Sequence, residues 1–207
     1  MIEETPLQQF LDELASQSST PGGGSAAAIM GAMGAALVSM VCNLTIGKPN
    51  YAEVGELMTD TLARAEALRT RLIELVQADI RAFDAVMAAY ALPRQTETEK
   101  QQRSARIQDA LKGATEAPLE CAQACADIIT LSRIVAEQGN RNVVSDAGVA
   151  VLAAQAALRS AALNVQINIK AIKDREFTAR ASGRLESILA SVGQDCEDIY
   201  QQVWDKL

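Results

Sequence analysis

The nineteen residues from Ala26 to Leu44, AAAIMGAMGAALVSMVCNL, carry no charge and only two polar side chains, Ser39 and Asn43. A helix of this kind is apolar on every side. It either lies at the centre of a helical bundle or crosses a membrane. Small residues dominate it, Gly31 and Gly34 among them, so neighbouring helices can approach closely. No second segment of this kind is expected, and the central helix of a soluble bundle is the simpler reading. The start, MIEETPLQQF, has neither the basic residues nor the apolar run of a signal peptide, which points to a cytoplasmic protein with no membrane role.

The rest of the 207-residue chain also reads as helix. Alanine, leucine, glutamine and glutamate favour helices, whereas strands favour β-branched and aromatic residues, and aromatics make up only 3% here. Thr5-Pro6 is suited to open a first helix ending near Ser16. Ser18 to Ser25, SSTPGGGS, breaks it, and Ser25 is placed to cap the apolar helix, which ends at Gly47–Pro49. A long helix is expected from Tyr51 to Leu92, stopped by Pro93. Thr96 and Glu99 have capping-box spacing and begin another long element, interrupted near Pro118 and ending at Gly139. Ser145 opens a helix to about Lys173, and a last helix runs from about Thr178 to the C-terminus. These readings describe an all-α, up-and-down bundle of five or six helices, with residues 1–207 as one domain.

A formal charge of −7 disfavours nucleic acid as a main partner, because phosphates require a basic surface. There is no histidine, which removes the commonest zinc ligand and the commonest general base. The four cysteines, Cys42, Cys121, Cys125 and Cys196, lack metal or redox spacing and are expected to be reduced and structural. No metal or cofactor is implied.

Chemistry is therefore sought where polar residues interrupt apolar stripes. One stripe reads Leu68, Leu72, Leu75, Asp79, Phe83, Val86, Tyr90, which puts Asp79 on a face expected to be buried. A carboxylate there bridges neighbouring helices or does chemistry, and burial raises its pKa. A second face reads Asp146, Ala150, Ala153, Ala157, Ala161, Asn164, Asn168. Its asparagines need partners, either backbone groups or a ligand. Asp146 and Asn164 lie about 27 Å apart along one helix, so within a subunit they do not share a reacting atom.

Alternating helix directions collect the candidates at two ends. The end where the apolar helix begins gathers the glycine loop, Asp79, Lys100, Arg103, Asn164 and Asn168. The opposite end holds Lys48, Gly139, Asn140, Ser145 and Asp146. The loop itself, Gly22-Gly23-Gly24-Ser25, is either a tight interhelical turn or a place where backbone N–H groups meet an anionic ligand at a helix N-terminus. It matches neither the P-loop nor the dinucleotide fingerprint.

Several segments, in order along the chain, carry a resemblance. TPGGGSAAAIMGAMGAALVSMVCNLTIGK is followed by D-x-x-x-F at Asp79–Phe83 and LPRQTETEKQQR at Leu92–Arg103. Then come GN…SD from Gly139 to Asp146 and NVQIN at Asn164–Asn168. Together they resemble the cyclodeaminase/cyclohydrolase family of folate one-carbon enzymes. The resemblance implies an all-helical, dimer-forming protein acting on a tetrahydrofolate derivative. The expected reaction is hydration of 5,10-methenyltetrahydrofolate to 10-formyltetrahydrofolate. The alternatives are cyclodeamination of 5-formiminotetrahydrofolate with release of ammonia, and a non-catalytic folate-binding or scaffold role. In this reading Asp79 is the general base and Asn168 assists it at the reacting centre. Gly22, Gly23, Gly24, Ser25, Lys100, Asn164 and Asp146 bind substrate.

Overall fold

The computed structural model describes residues 6–207, all of whose regular elements are helical. Seven α-helices follow in order: α1 Leu7–Leu14, α2 Gly23–Asn43, α3 Gly55–Ala91, α4 Glu97–Gln138, α5 Val144–Ala171, α6 Arg175–Ser191 and α7 Asp195–Trp204. Short 3₁₀ turns, Pro49–Val54 and Arg141–Val143, lead into α3 and α5. The expected last helix is thus two helices, parted at Val192–Gln194. Thr5, the expected cap of α1, lies outside the described residues.

Helices α2, α3, α4 and α5 form a four-sided ring in which each packs on the next and α5 returns to α2. The stripe of small residues decides this geometry. A methyl group added at Gly34 would sit 3.1 Å from the Ala150 carbonyl oxygen and 3.5 Å from the Ala154 side chain, so α2 and α5 touch nearly backbone to backbone. One continuous core runs through the ring, with Val38, Leu72, Leu119, Ile128 and Val151 fully enclosed. Helices α6 and α7 cover α4 and α5.

Several ends are fixed by the chemistry legible in the sequence. Thr96 and Glu99 form the expected capping box. The Thr96 hydroxyl accepts from the Glu99 N–H at 3.2 Å, and the Glu99 carboxylate accepts from the Thr96 N–H at 2.9 Å. At the far end, Asn140 clasps the bundle. Its amide donates to the Leu44 carbonyl at 2.8 Å, and its backbone N–H donates to the Thr45 hydroxyl at 2.9 Å.

Three expectations are corrected. Ser25 does not cap α2, which begins two residues earlier with Gly22 in the cap position. Nor is α4 interrupted near Pro118, for it runs unbroken through that residue. Besides Gly23–Asn43, a second helix, Arg141–Ala171, is long and apolar enough to cross a membrane, although only the segment Ala26–Leu44 was expected to be. Both pack within the ring. The cysteines are free and buried, and burial pushes the Cys42 thiol up to about 11.

Candidate active site

At the end of the ring where α2 begins, Ser19–Gly24, α3, α4 and α5 enclose a cleft of about 390 Å3. That volume lies in the range of small-molecule sites. Phe83, Val86, Leu111 and Ile167 make its apolar wall, and Asp79, Asn164 and Asn168 bring polar groups into it.

Asp79 is half-buried on α3, and the Ser25 hydroxyl donates to its Oδ2 at 2.9 Å. Burial raises its pKa, while hydrogen bonds from the Ser25 side chain and backbone pull the other way and lose. Among the described residues no cation is near enough to hold the carboxylate ionised, and desolvation is the largest influence on its proton affinity. Ser25, expected to contact substrate, instead holds the carboxylate. Gly24 is equally tied to it. A methyl group on Gly24 would lie 2.2 Å from Asp79 Oδ1, so the α2 backbone reaches the carboxylate only because no side chain intervenes. A methyl at Gly23 would meet nothing closer than the Asn164 amide nitrogen, at 3.9 Å.

Asn168 is explained by Pro118. Proline has no N–H, so the helical bond from residue 118 back to the carbonyl of Ala114 is missing. The Asn168 amide on α5 supplies it, donating to the Ala114 oxygen at 2.8 Å. The helix stays unbroken because a neighbour's side chain replaces the lost backbone donor, and the same bond fixes Asn168 at the cleft wall. Replacing Asn168 by alanine should strand that carbonyl and cost about 1–3 kcal/mol. The loss should shrink when Pro118→Ala restores the N–H, and thermal unfolding of the single and double variants reads the difference. Equal losses in both backgrounds would mean that the pairing contributes nothing. Asn164 donates to its own helix, at the Ser160 carbonyl, at 2.9 Å.

The other expected site residues are not in the cleft. Lys100 pairs with Glu97 at 2.7 Å and lines an adjoining groove with Arg103. Asp146, in the first turn of α5, stands at the opposite end of the ring. Sequence reasoning missed Ser19, Thr20 and the apolar wall. Ser19 and Thr20 carried a signal, being the two residues directly before the PGGG turn, whereas Leu111 and Ile167 look like any other apolar helix positions.

Relatives share this architecture. A family model described as formiminotransferase-cyclodeaminase matches residues 6–187. A methenyltetrahydrofolate cyclohydrolase of Methylorubrum extorquens is 55% identical over 207 residues, covering 100% of both chains. The formimidoyltransferase-cyclodeaminase of Sus scrofa is 37% identical over 184 residues, covering 89% of this chain and 34% of that protein, so the chain spans about a third of it. In three dimensions, the crystal structure of formiminotetrahydrofolate cyclodeaminase from Thermotoga maritima superposes with a TM-score of 0.86. It is 33% identical and covers 100% of this chain and 98% of its own. The chain belongs to the formiminotransferase-cyclodeaminase family.

Proposed function

We infer that the chain is a folate enzyme, a methenyltetrahydrofolate cyclohydrolase that hydrates 5,10-methenyltetrahydrofolate to 10-formyltetrahydrofolate. The observation that carries this reading is Asp79, a carboxylate with raised proton affinity, anchored by Ser25 and facing a cleft of ligand size. The higher identity to the cyclohydrolase, 55% against 33% for the cyclodeaminase structure, favours hydration over cyclodeamination.

The chemistry needs a base and little else. The methenyl carbon between N5 and N10 is already electrophilic, because the N–C–N unit carries a positive charge. Asp79 takes a proton from water as its oxygen attacks that carbon. The tetrahedral product then collapses. Its hydroxyl gives up its proton as the C=O bond forms, the bond to N5 breaks and N5 takes up a proton. This leaves the formyl group on N10, and Asp79 returns its proton to solvent. Ionised Asp79 also offsets the charge of the incoming cation. Its raised pKa places it nearer to neutrality, where a general base is most effective. Asn168, with its amide N–H held by Ala114, offers its oxygen to the water, and Asn164 and the glycine loop orient the pterin.

The chain acts as a soluble, cytoplasmic homodimer in this reading. Met33 and Met40 on α2 and Val149, Leu152, Leu163 and Ile167 on α5 form an exposed apolar face, and Ile167 also lines the cleft. Two copies meeting through that face about a twofold axis perpendicular to α5 would run their α5 helices antiparallel. Asp146 of one copy would then approach the cleft of the other, which is the arrangement in which it serves as a substrate-binding residue. Leu163→Asp should shift the protein to monomer in light scattering and lower its activity. A monomeric wild-type protein would remove both the dimer and the role of Asp146.

The deciding experiment follows the methenyl absorbance of 5,10-methenyltetrahydrofolate with purified protein. Loss well above the spontaneous rate is expected. No acceleration, with chromophore and ammonia appearing from 5-formiminotetrahydrofolate, would make the chain a cyclodeaminase. Silence in both assays would leave a folate-binding or scaffold protein.

A further inference from the structure

Asp79 closes off a second, much smaller space on the core side of the cleft. Each ring helix lines it with residues about one turn deeper than those it gives the cleft: Ala28 on α2, Leu75 on α3, Ala117 and Cys121 on α4, and Ala161 on α5. Gly24 and Asp79 belong to the walls of both spaces. The alanines are too short to fill the gap, which measures about 10 Å3 and so has the size of a single water molecule.

A cavity with only apolar walls stays dry, whereas one that offers two or more polar partners holds water. Here two side chains supply them. Asp79 reaches the space from α3, and Ser25 leaves some of the about four lone-pair sites of its carboxylate unused. Cys121, only 3% exposed, presents a thiol from α4, which is a weak donor. The Gly24 N–H lies in the first turn of α2, where no carbonyl of its own helix can reach it, and adds a third donor to the wall. Cys125, one turn deeper, takes no part. A methyl group on Gly31 would lie 2.9 Å from its Sγ, so that thiol packs against α2. Among the described residues that line the cleft and this space, Asp79 and Cys121 are the only titratable ones. Helices α2 and α5 add none, and neither space has a cation on its walls.

We propose that this space binds one water molecule, which accepts from the Cys121 thiol and donates to the Asp79 carboxylate, and that Cys121 is thereby a positioning residue for the base. The role rests on the reading of Asp79 as the base. The bound water replaces part of the hydration that Asp79 loses on burial and steadies the carboxylate from behind, while other lone pairs face the cleft. It is distinct from the water consumed in the reaction, which arrives from the cleft side. Cys121 acts through the bound water and touches no substrate.

Two substitutions separate this role from packing, in which a buried cysteine is only a small apolar side chain. Were packing all, Cys121→Val would be mild and Cys121→Ser, with its buried hydroxyl, the worse. The water bridge reverses that order. Cys121→Val removes the donor and fills the space, so kcat should fall about tenfold with KM unchanged. The acid midpoint of kcat should rise by about one pH unit, the effect of one lost hydrogen bond to a charged group. Cys121→Ser should keep both close to the wild type. Cys121→Ala, which crowds nothing, should move with Cys121→Val and stands in for it if valine prevents folding. Thermal unfolding reads the bridge without turnover. Cys121→Val should lower the melting temperature more near neutrality, where Asp79 is ionised, than in acid, and this difference should vanish once Asp79→Asn is added. Serine worse than valine in kcat and midpoint, or a melting loss independent of pH and of Asp79, would overturn the proposal. The melting difference without turnover of 5,10-methenyltetrahydrofolate would defeat the cyclohydrolase reading and leave the water site standing. Turnover by a Cys121→Val protein that matches the wild type would defeat the water site alone.

Discussion

Replacing Asp79 by asparagine is expected to lower kcat/KM for 5,10-methenyltetrahydrofolate by about 10²- to 10⁴-fold, the usual contribution of a positioned general base. The fold should survive, and the reason lies in the same physics that makes the residue useful. Asp79 is desolvated, has no cation beside it among the described residues and has a raised pKa, so folding shifts its balance towards the neutral form relative to water. A group whose folded pKa lies above its unfolded value contributes stability that is present below the unfolded pKa and lost as pH rises through the folded one. At neutral pH the ionised carboxylate is therefore a cost, and asparagine removes it while still accepting the Ser25 hydroxyl. Asp79→Asn should melt no lower than the wild type near neutrality. The wild-type rate should fall on the acid side with a midpoint above the ordinary aspartate range, because protonation disables the base. A folded Asp79→Asn protein with full turnover would place the base elsewhere. A variant that fails to fold would show that the carboxylate's bond to Ser25 is structural first.

The stripe that picked out Asp79 was legible because a charge at an apolar helical position has few explanations, and the bundle followed from periodicity and caps with little ambiguity. What eluded the sequence depends on partners far apart in the chain. Ser25 has the residue type and position of a helix cap, yet it faces a carboxylate 54 residues later. Pro118 reads locally as a break, because nothing near it in sequence reveals that Asn168 supplies the missing donor. Lys100 and Arg103 were placed at the correct end of the ring, but their separation from Asp79 reflects how far α3 extends beyond the cleft floor. Asp146 matches the family pattern without meeting the other residues within one subunit, as its position some 18 residues before Asn164 on one straight helix requires.

Gly24→Ala should be nearly as damaging to activity as loss of the carboxylate, although it removes no polar group. The added methyl would fall 2.2 Å from Asp79 Oδ1, 2.6 Å from Cγ and 2.8 Å from Oδ2. Both neighbours are anchored, one in the first turn of α2 and the other by Ser25, so Asp79 must swing away or the helix start must lift. Either movement breaks the Ser25 bond and misplaces the base by an ångström or more, a displacement that costs about 10²-fold in rate. Stability should change less than activity, because alanine within a helix gains up to about 1 kcal/mol over glycine and offsets part of the clash. Gly23→Ala, whose methyl meets only the Asn164 amide at 3.9 Å, should be much milder. The decisive comparison is the double variant with Asp79→Asn. If Gly24 acts through the carboxylate, the second substitution should add little to the loss already produced by the first, so the two effects should be strongly non-additive. Losses that multiply would mean that the loop contacts substrate independently, as a glycine-rich anion site does, and that the closeness of Gly24 to Asp79 is packing alone.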